Sequence, residues 1–346
     1  MRVGLVGVPG SGKTTLFRAL ARLPGTVTSR TAVLHVPDER LGKLSAMAEA
    51  KKTTPAEIHL LDMPALSVRG SQEAESVAAA RGVDLLAHVV GAFVDPGNVR
   101  GTAQREVREF EEEMILLDQS LIESRLERVA RGVKVGKKDD APEMELLERC
   151  KAALEEGRSL RALELDPADE KRLRGFQLLT LKPRLVILNV AESDLAGGFP
   201  GFDAMKEREA ASGAGLEAVC ALLEREVSEL PPEEVPVFLE EMGVSESARD
   251  KLVRAAYSHL GFITFFTVGR PDARAWTVRD GARAVEAAGE IHSDMERGFV
   301  RAEVVRWDDL LAAGSHSAAR AKGAVRLEGR DYRIQDGDVL LVRFTV

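Results

Sequence analysis

One nine-residue stretch restricts this chain more than anything else in it. Residues 7–15 read Gly7-Val8-Pro9-Gly10-Ser11-Gly12-Lys13-Thr14-Thr15 and satisfy G-x-x-x-x-G-K-[ST] without a mismatch. Before it, Arg2 to Val6 is a short, largely apolar run that predicts a buried strand. After it, Leu16, Phe17, Leu20 and Ala21 recur at helical spacing. Strand, glycine-rich turn, helix is the order that phosphate binding needs. Glycines let the backbone wrap an anion and turn its N–H groups inward, and the helix adds its positive end. Pro9, Gly10, Ser11, Gly12, Lys13, Thr14 and Thr15 are therefore the expected phosphate-binding residues. Lys13 reaches the β- and γ-phosphates, and Thr14 offers its hydroxyl to Mg2+.

The rest of such a site must come from later strands. Ile58 to Leu61 is a second short apolar run and ends at Asp62, where P-loop proteins hold a further Mg2+ contact. Leu85 to Val90 reads as another strand. Leu185 to Leu188, behind Lys182-Pro183, reads as one more and ends in Asn189-Val190-Ala191-Glu192. Open parallel α/β sheets bind ligands at the carboxyl ends of their strands, so Gly7, Asp62 and Asn189 can share one pocket. GTP-binding proteins read guanine with an N-K-x-D pattern. Here the lysine is missing and the longer Glu192 replaces aspartate, which weakens guanine selection and favours adenine.

At 346 residues the chain is too long for one domain of the usual ~100–200 residues. Its 45% hydrophobic content can fill real cores, and its net charge of -8 argues against a protein that coats nucleic acid with its whole surface. Cys150 and Cys220 sit in no CxxC or Cys/His cluster, so neither a disulfide framework nor a zinc site is expected, as befits a reducing cytosol. The start MRVGLVGV lacks the pattern of a secretory signal, and no run approaches the ~18 apolar residues of a membrane span. The most apolar window, Val83 to Val94, contains Asp84 and His88 and reads as a buried strand.

Residues 101–181 have a different texture. Val107, Phe110, Met114, Leu117 and Leu121 alternate spacings of three and four, a heptad-like seam. Glycine and basic residues interrupt around Gly132 to Lys138, and a second periodic run near Met144 carries Leu147, Leu154 and Leu160. Two helices packed back to back are expected. Asp166-Pro167, with Asp169 following, reads as a helix start. Arg125, Arg128, Arg131, Lys134, Lys137 and Lys138 make the hairpin tip basic. Such a tip can dock on phosphate backbones such as rRNA, or it is simply a solvated helical face. From Phe262 onward short β-rich pieces alternate with turn signals, including Gln335-Asp336-Gly337-Asp338, which fits a small β-grasp domain. His292, Asp294 and Glu296 alternate in a way that could suggest a metal or catalytic cluster, and are read as ordinary polar patterning on a loop or strand.

These stretches together resemble the YchF family, the Obg-like ATPases. The resemblance runs through GxPxxGKTTLFRAL at 7–20, VPDERL at 36–41, AHVV at 87–90, KPRLVILNVAE at 182–192 and VCALLEREVSEL at 219–230. It is strongest in AYSHLGFITFFTVG at 256–269, RAWTVRDG at 274–281, AAGEIHSDMERGFVRAEV at 287–304 and EGRDYRIQDGDVLLVRF at 328–344. It implies an α/β chain in three parts. A P-loop G domain spans 1–100 and 182–260, an inserted α-helical hairpin arm spans 101–181, and a C-terminal ubiquitin-like TGS domain spans 261–346. It implies Mg2+, preference for ATP over GTP, slow hydrolysis as a conformational switch, a cytoplasmic setting and a link to ribosomes, with the arm and TGS domain as candidate contacts. Asn189, Val190 and Glu192 match the altered base-reading motif, and Cys220 and Ala221 the last base-side motif.

The chain also departs from that family. Its Mg2+-side motif reads Asp62-Met63-Pro64-Ala65 where D-x-x-G is usual. Leu66 occupies the place where classical GTPases put a water-orienting glutamine. The segment from Ser67 to Ala80 is short and keeps only Gly70. Phe93 to Thr102 has no histidine, with Arg100 near the relevant spot, so no catalytic base is named. Thr26 and Thr28 are the first-switch candidates. A nucleotide-gated binding module with little hydrolysis and a GTPase of relaxed base choice therefore stand as alternatives. A small-molecule kinase would leave the C-terminal block unexplained.

Overall fold

The computed structural model describes residues 1–24, 29–64, 73–93, 99–134, 140–199 and 201–345. In chain order its strands are β1 (Arg2–Val6), β2 (Thr31–His35), β3 (Thr53–Thr54), β4 (Glu57–Asp62), β5 (Leu85–Ala92), β6 (Arg184–Val190), β7 (Ala214–Val219), β8 (Phe262–Val268), β9 (Ala273–Arg279), β10 (Phe299–Arg306), β11 (Arg326–Glu328) and β12 (Asp338–Phe344). Contacts group the chain into two units. One joins Met1–Val33 with His59–His259, and the other joins Leu34–Ile58 with Leu260–Val346.

The first unit is built on a sheet of order β2-β4-β1-β5-β6-β7. β1 runs parallel to β4 and β5, β5 to β6, and β6 to β7. β6 is buried along its whole length and β5 along nearly all of it, the near-continuous apolar reading expected of strands covered on both faces. Because these strands are parallel, Gly7, Asp62 and Asn189 come to the same edge of the sheet. Helices Lys13–Leu20 and Ala221–Glu229 pack against each other beside it.

The inserted segment forms the helices Val99–Lys134 and Asp140–Glu155. The heptad-like seam proves to be two surfaces in succession. Val107 packs with Val90, Val186 and Leu188 of the sheet, and Phe110, Met114 and Leu117 pack with Val6 and Leu86 of the sheet and with Ala80 of helix Glu73–Arg81. Of that seam Leu121 reaches the core shared with the partner helix, which is otherwise met by a different stripe, Ile115, Ile122 and Val129 against Leu146, Leu147, Cys150 and Leu154. Helical spacing marks an apolar face without saying what covers it. The first helix runs through Gly132 to Lys134, so that glycine does not end it. The second stops at Glu155, where Gly157 takes a left-handed φ of 72° and returns its N–H to Leu154 O. Leu160 therefore lies in a separate short turn, though in the same core. Asp166 caps helix Pro167–Leu173 as its sequence implied, accepting the N–H groups of Ala168 and Asp169 at 2.8 Å.

The second unit holds a sheet of order β11-β10-β12-β8-β9-β3. The hairpin β8–β9 is antiparallel, β12 lies parallel to β8, and β10 is antiparallel to both β12 and β11. Helix Ala284–Ile291 closes over this sheet through Ala284, Ala287 and Ala288, giving a β-grasp arrangement. Residues 34–58 join it by pairing β3 with β9 and by helix Glu39–Met47. Arg40 of that helix binds Asp38 and Asp336 and lies 5.3 Å above the Phe266 ring, so VPDERL locks onto the QDGD turn. His292 and Asp294 do not alternate on a strand. His292 Nδ1 accepts the Asp294 N–H at 3.1 Å and caps helix Ser293–Arg297.

Candidate functional site

Between β1 and helix Lys13–Leu20 the backbone turns through Gly7, Gly10 and Gly12, all at positive φ; for Gly10 and Gly12 the values are 88° and 85°. These lie in the left-handed region that glycine reaches without penalty. The turn opens the helix with its free N–H groups toward a cleft of about 710 Å³. Pro9, Gly10, Gly12, Lys13, Thr14 and Thr15 line one end of it, and Asn189, Val190, Glu192, Cys220 and Ala221 the other. Ser11 is buried instead. Its N–H goes to Val8 O at 3.2 Å, and its hydroxyl has no hydrogen-bond partner among the described residues.

At the phosphate end Lys13 Nζ donates to Asp62 Oδ1 and to Met63 O, both at 2.5 Å, and Thr14 Oγ1 donates to Asp62 Oδ2 at 3.1 Å. The Thr14 hydroxyl and the Asp62 carboxylate are thus side by side, two hard oxygen donors of the kind Mg2+ takes. β4 places Asp62 there through its parallel pairing with β1, Leu5 against Asp62.

At the other end Asn189 is a bridge. Its amide donates to Ser11 O at 3.0 Å and its carbonyl accepts the Ala221 N–H at 2.9 Å. It ties the phosphate loop of β1 to the β7–helix junction, keeping one donor hydrogen and one lone pair for anything in the cleft. Glu192 is exposed at the start of helix Glu192–Gly197. Val190, Cys220 and Ala221 are buried residues whose edges form the wall.

Three wall residues escaped the sequence reading. Val8, Phe93 and Leu222 line the cleft with 48%, 40% and 57% exposure. Large apolar side chains left open around a polar loop suit the faces of a flat ring. Their signal was positional, since Phe93 follows β5 and Leu222 follows the Cys220-Ala221 pair.

Of the basic arm residues, Arg125 is held by Glu143 at 2.7 Å, while Arg128 and Arg131 donate to carbonyls of their own helix. Thr26, Thr28, Ala65, Leu66, Gly70, Lys137 and Lys138 lie outside the described residues. Among the described residues lining the cleft, Glu192 is the one carboxylate, and it stands at the base end. No described helix is long and apolar enough to cross a membrane.

Residues 262–345 match the family model YchF-GTPase_C, described as "Protein of unknown function (DUF933)", and residues 2–122 match that of a "50S ribosome-binding GTPase". Curated relatives align end to end. "Ribosome-binding ATPase YchF" of Bacillus subtilis is 39% identical over all of both chains. Its namesake in Escherichia coli O157:H7 is 33% identical over 100% of this chain and 99% of that one. "Obg-like ATPase 1" of Oryza sativa is 32% identical, with 100% and 92% covered. Among solved structures, that of the Schizosaccharomyces pombe YchF GTPase superposes with a TM-score of 0.87 at 26% identity, covering 99% of this chain and 97% of that one.

Proposed function

The chain belongs to the YchF family, and from that premise we propose that it is a cytoplasmic, Mg2+-dependent ATPase that hydrolyses ATP slowly as a switch and associates with the ribosome. The observation that carries the reading is the convergence of Lys13, Thr14 and Asp62 at one end of a cleft whose other end is apolar and bears Glu192. Gly10, Gly12 and Lys13 cradle the phosphates. Thr14 and Asp62 would hold Mg2+, which when bound supplies charge neutralisation at the phosphate oxygens. Val8, Phe93, Val190 and Leu222 cover the faces of the purine, and Glu192 stands at its edge. Phosphoryl transfer asks a protein chiefly for position and charge, and this arrangement offers both.

The preference for ATP rests on the missing N-K-x-D lysine and on Glu192. The ribosome enters through the names that the relatives carry. Within this proposal the nucleotide domain is 1–100 with 182–260, the arm is 101–181 and the TGS domain is 261–346; residues 34–58 pack with the last of these. Arg128 and Arg131 on the arm are the candidate rRNA contacts.

A second reading, a nucleotide-gated binding module with little turnover, is favoured by one observation: among the described residues the phosphate end has no histidine, and its carboxylate, Asp62, is already held by Lys13 and Thr14. Titration with fluorescent ATP and GTP in Mg2+, with phosphate release measured in parallel and Lys13→Ala as control, separates the two. Tighter ATP binding with release abolished by Lys13→Ala supports the ATPase. Binding without release supports the module, and equal or tighter GTP binding overturns the role given to Glu192. Co-sedimentation with ribosomes tests the partner.

A further inference from the structure

The residue after Asp62 joins two regions that no motif connects. Met63 O accepts from Lys13 Nζ at 2.5 Å. The Met63 side chain is 3% exposed and packs in the core that holds Val6, Ala80, Val83 and Leu86 together with Phe110 and Met114 of the arm helix Val99–Lys134. A Cβ on Gly4 would fall 2.2 Å from Met63 Sδ, so the thioether lies directly on β1. One residue thus bonds the phosphate-loop lysine through its backbone, and its side chain lies in the same buried core as the arm residues Phe110 and Met114.

An ammonium group has three protons to give. Lys13 spends two, on Asp62 Oδ1 and on Met63 O. A β,γ-phosphate pair in the loop asks for two, one more than the single proton left over, so at least one protein bond must yield. Asp62 is a charged acceptor and the carbonyl a neutral one, so the carbonyl is the partner given up.

We propose that Met63 is a positioning residue that couples phosphate occupancy at Lys13 to the seating of the arm helix. When a nucleoside triphosphate takes Lys13, Met63 loses its carbonyl partner and its side chain shifts beneath Phe110 and Met114. A turn further along, Asp118 is wholly buried and accepts the N–H groups of Leu179 and Thr180 and the Thr180 hydroxyl, with Arg81 3.8 Å away. Asp118 holds its point on the arm helix, so displacement at 110–114 tilts the helix. This coupling rests on reading the cleft as a triphosphate site.

The test is hydrogen–deuterium exchange on the full chain, with and without saturating ATPγS, alongside a fluorescent-nucleotide titration. The amides of 107–118 should change their exchange by about fivefold on binding. Lys13→Ala removes the hold on Met63 directly, so without nucleotide it should already show the bound pattern over 107–118. Met63→Ala should lose the response, and Met63→Leu, which keeps both carbonyl and bulk, should retain it. Strand β6 reports whether each variant is folded; if Met63→Ala is not, the Lys13→Ala pattern decides. An unchanged arm in wild type with bound nucleotide overturns the coupling alone. So does Lys13→Ala that matches wild type without nucleotide. A wild-type chain that binds no nucleotide overturns the triphosphate site and the coupling with it.

Discussion

Gly12 and Asn189 leave no space between them: a Cβ on Gly12 would lie 2.1 Å from Asn189 Nδ2. Gly12→Ala must therefore displace Asn189 as well as strain a backbone at φ 85°. Gly10 has a similar φ of 88° and nothing within 4 Å of its virtual Cβ, so Gly10→Ala carries strain alone, about 1–2 kcal/mol. We expect Gly10→Ala to weaken ATP binding about tenfold and Gly12→Ala by two to three decades, read by fluorescent-nucleotide titration. Equal losses would mean that the Asn189 contact is not the cause.

Asn189 itself holds two buried backbone groups, Ser11 O and the Ala221 N–H. Removing it with Asn189→Ala orphans both, at about 1–3 kcal/mol each. Asn189→Asp restores the acceptor for Ala221 and sets an anion against the Ser11 carbonyl. Urea unfolding should show the aspartate variant no more stable than the alanine one; a clear rescue by aspartate would leave the Ser11 bond without weight.

A second buried polar cluster ties the arm to the far end of β6. Glu111 on the arm helix reaches Arg161 at 2.6 Å and Arg184 at 3.2 Å, and Arg184 reaches Glu209 at 2.6 Å. Burial pushes the Arg161 guanidinium below its usual value, and Glu111 works against that. Glu111→Gln strips the countercharge bonded to buried Arg161 and one of the two beside Arg184, and should cost about 3–5 kcal/mol in urea denaturation. A loss below about 1 kcal/mol would show that the arm is seated by its apolar face alone.

Beside Phe110, the His88 ring stacks at 4.0 Å, and Glu106 approaches His88 Nε2 to 3.8 Å. Burial, then the charge of Glu109, raises the Glu106 carboxyl from 4.5 to about 7. Burial, then Arg184, holds His88 well below 6.5 and so neutral. Between about 4.5 and 7 the folded chain binds more protons at Glu106 than the unfolded one, so this group lowers stability as pH rises through that window. His88 acts oppositely and lowers stability as pH falls below 6.5. Glu106→Gln should therefore gain stability relative to wild type as pH rises from 4.5 to 7 and level off above, in urea midpoints taken across that range. A pH-independent difference would contradict the buried acid.

The phosphate loop could be read from sequence because its chemistry fixes residue types at fixed spacings, from Gly7 to Thr14. The strands feeding it were legible for a related reason: buried parallel strands such as Leu85–Ala92 are apolar at nearly every position, His88 being the exception there. Packing partners were not legible. Val107, Phe110 and Met114 have the spacing of a helical seam, and spacing is the same whether a sheet or a second helix covers it. Asn189 was expected at the base, and its two backbone partners come from loops 178 and 32 residues away, which no local pattern encodes. Arg125 read as one of the residues that make the hairpin tip basic, and its partner Glu143 lies 18 residues on, on the second helix.

The placement of Leu34–Ile58 bears on modularity. The chain leaves the phosphate-loop helix, contributes β3 and helix Glu39–Met47 to the C-terminal sheet, and only then returns to supply Asp62. Thr14 and Asp62 are therefore linked covalently by way of the other unit. A chain cut after His259 would strip the cover from Leu41, Leu44 and Ala56, all buried in the intact protein. The C-terminal unit is thus no interchangeable cassette: transplanting it between relatives would require carrying residues 34–58 along, as one piece stitched through the middle of the nucleotide domain.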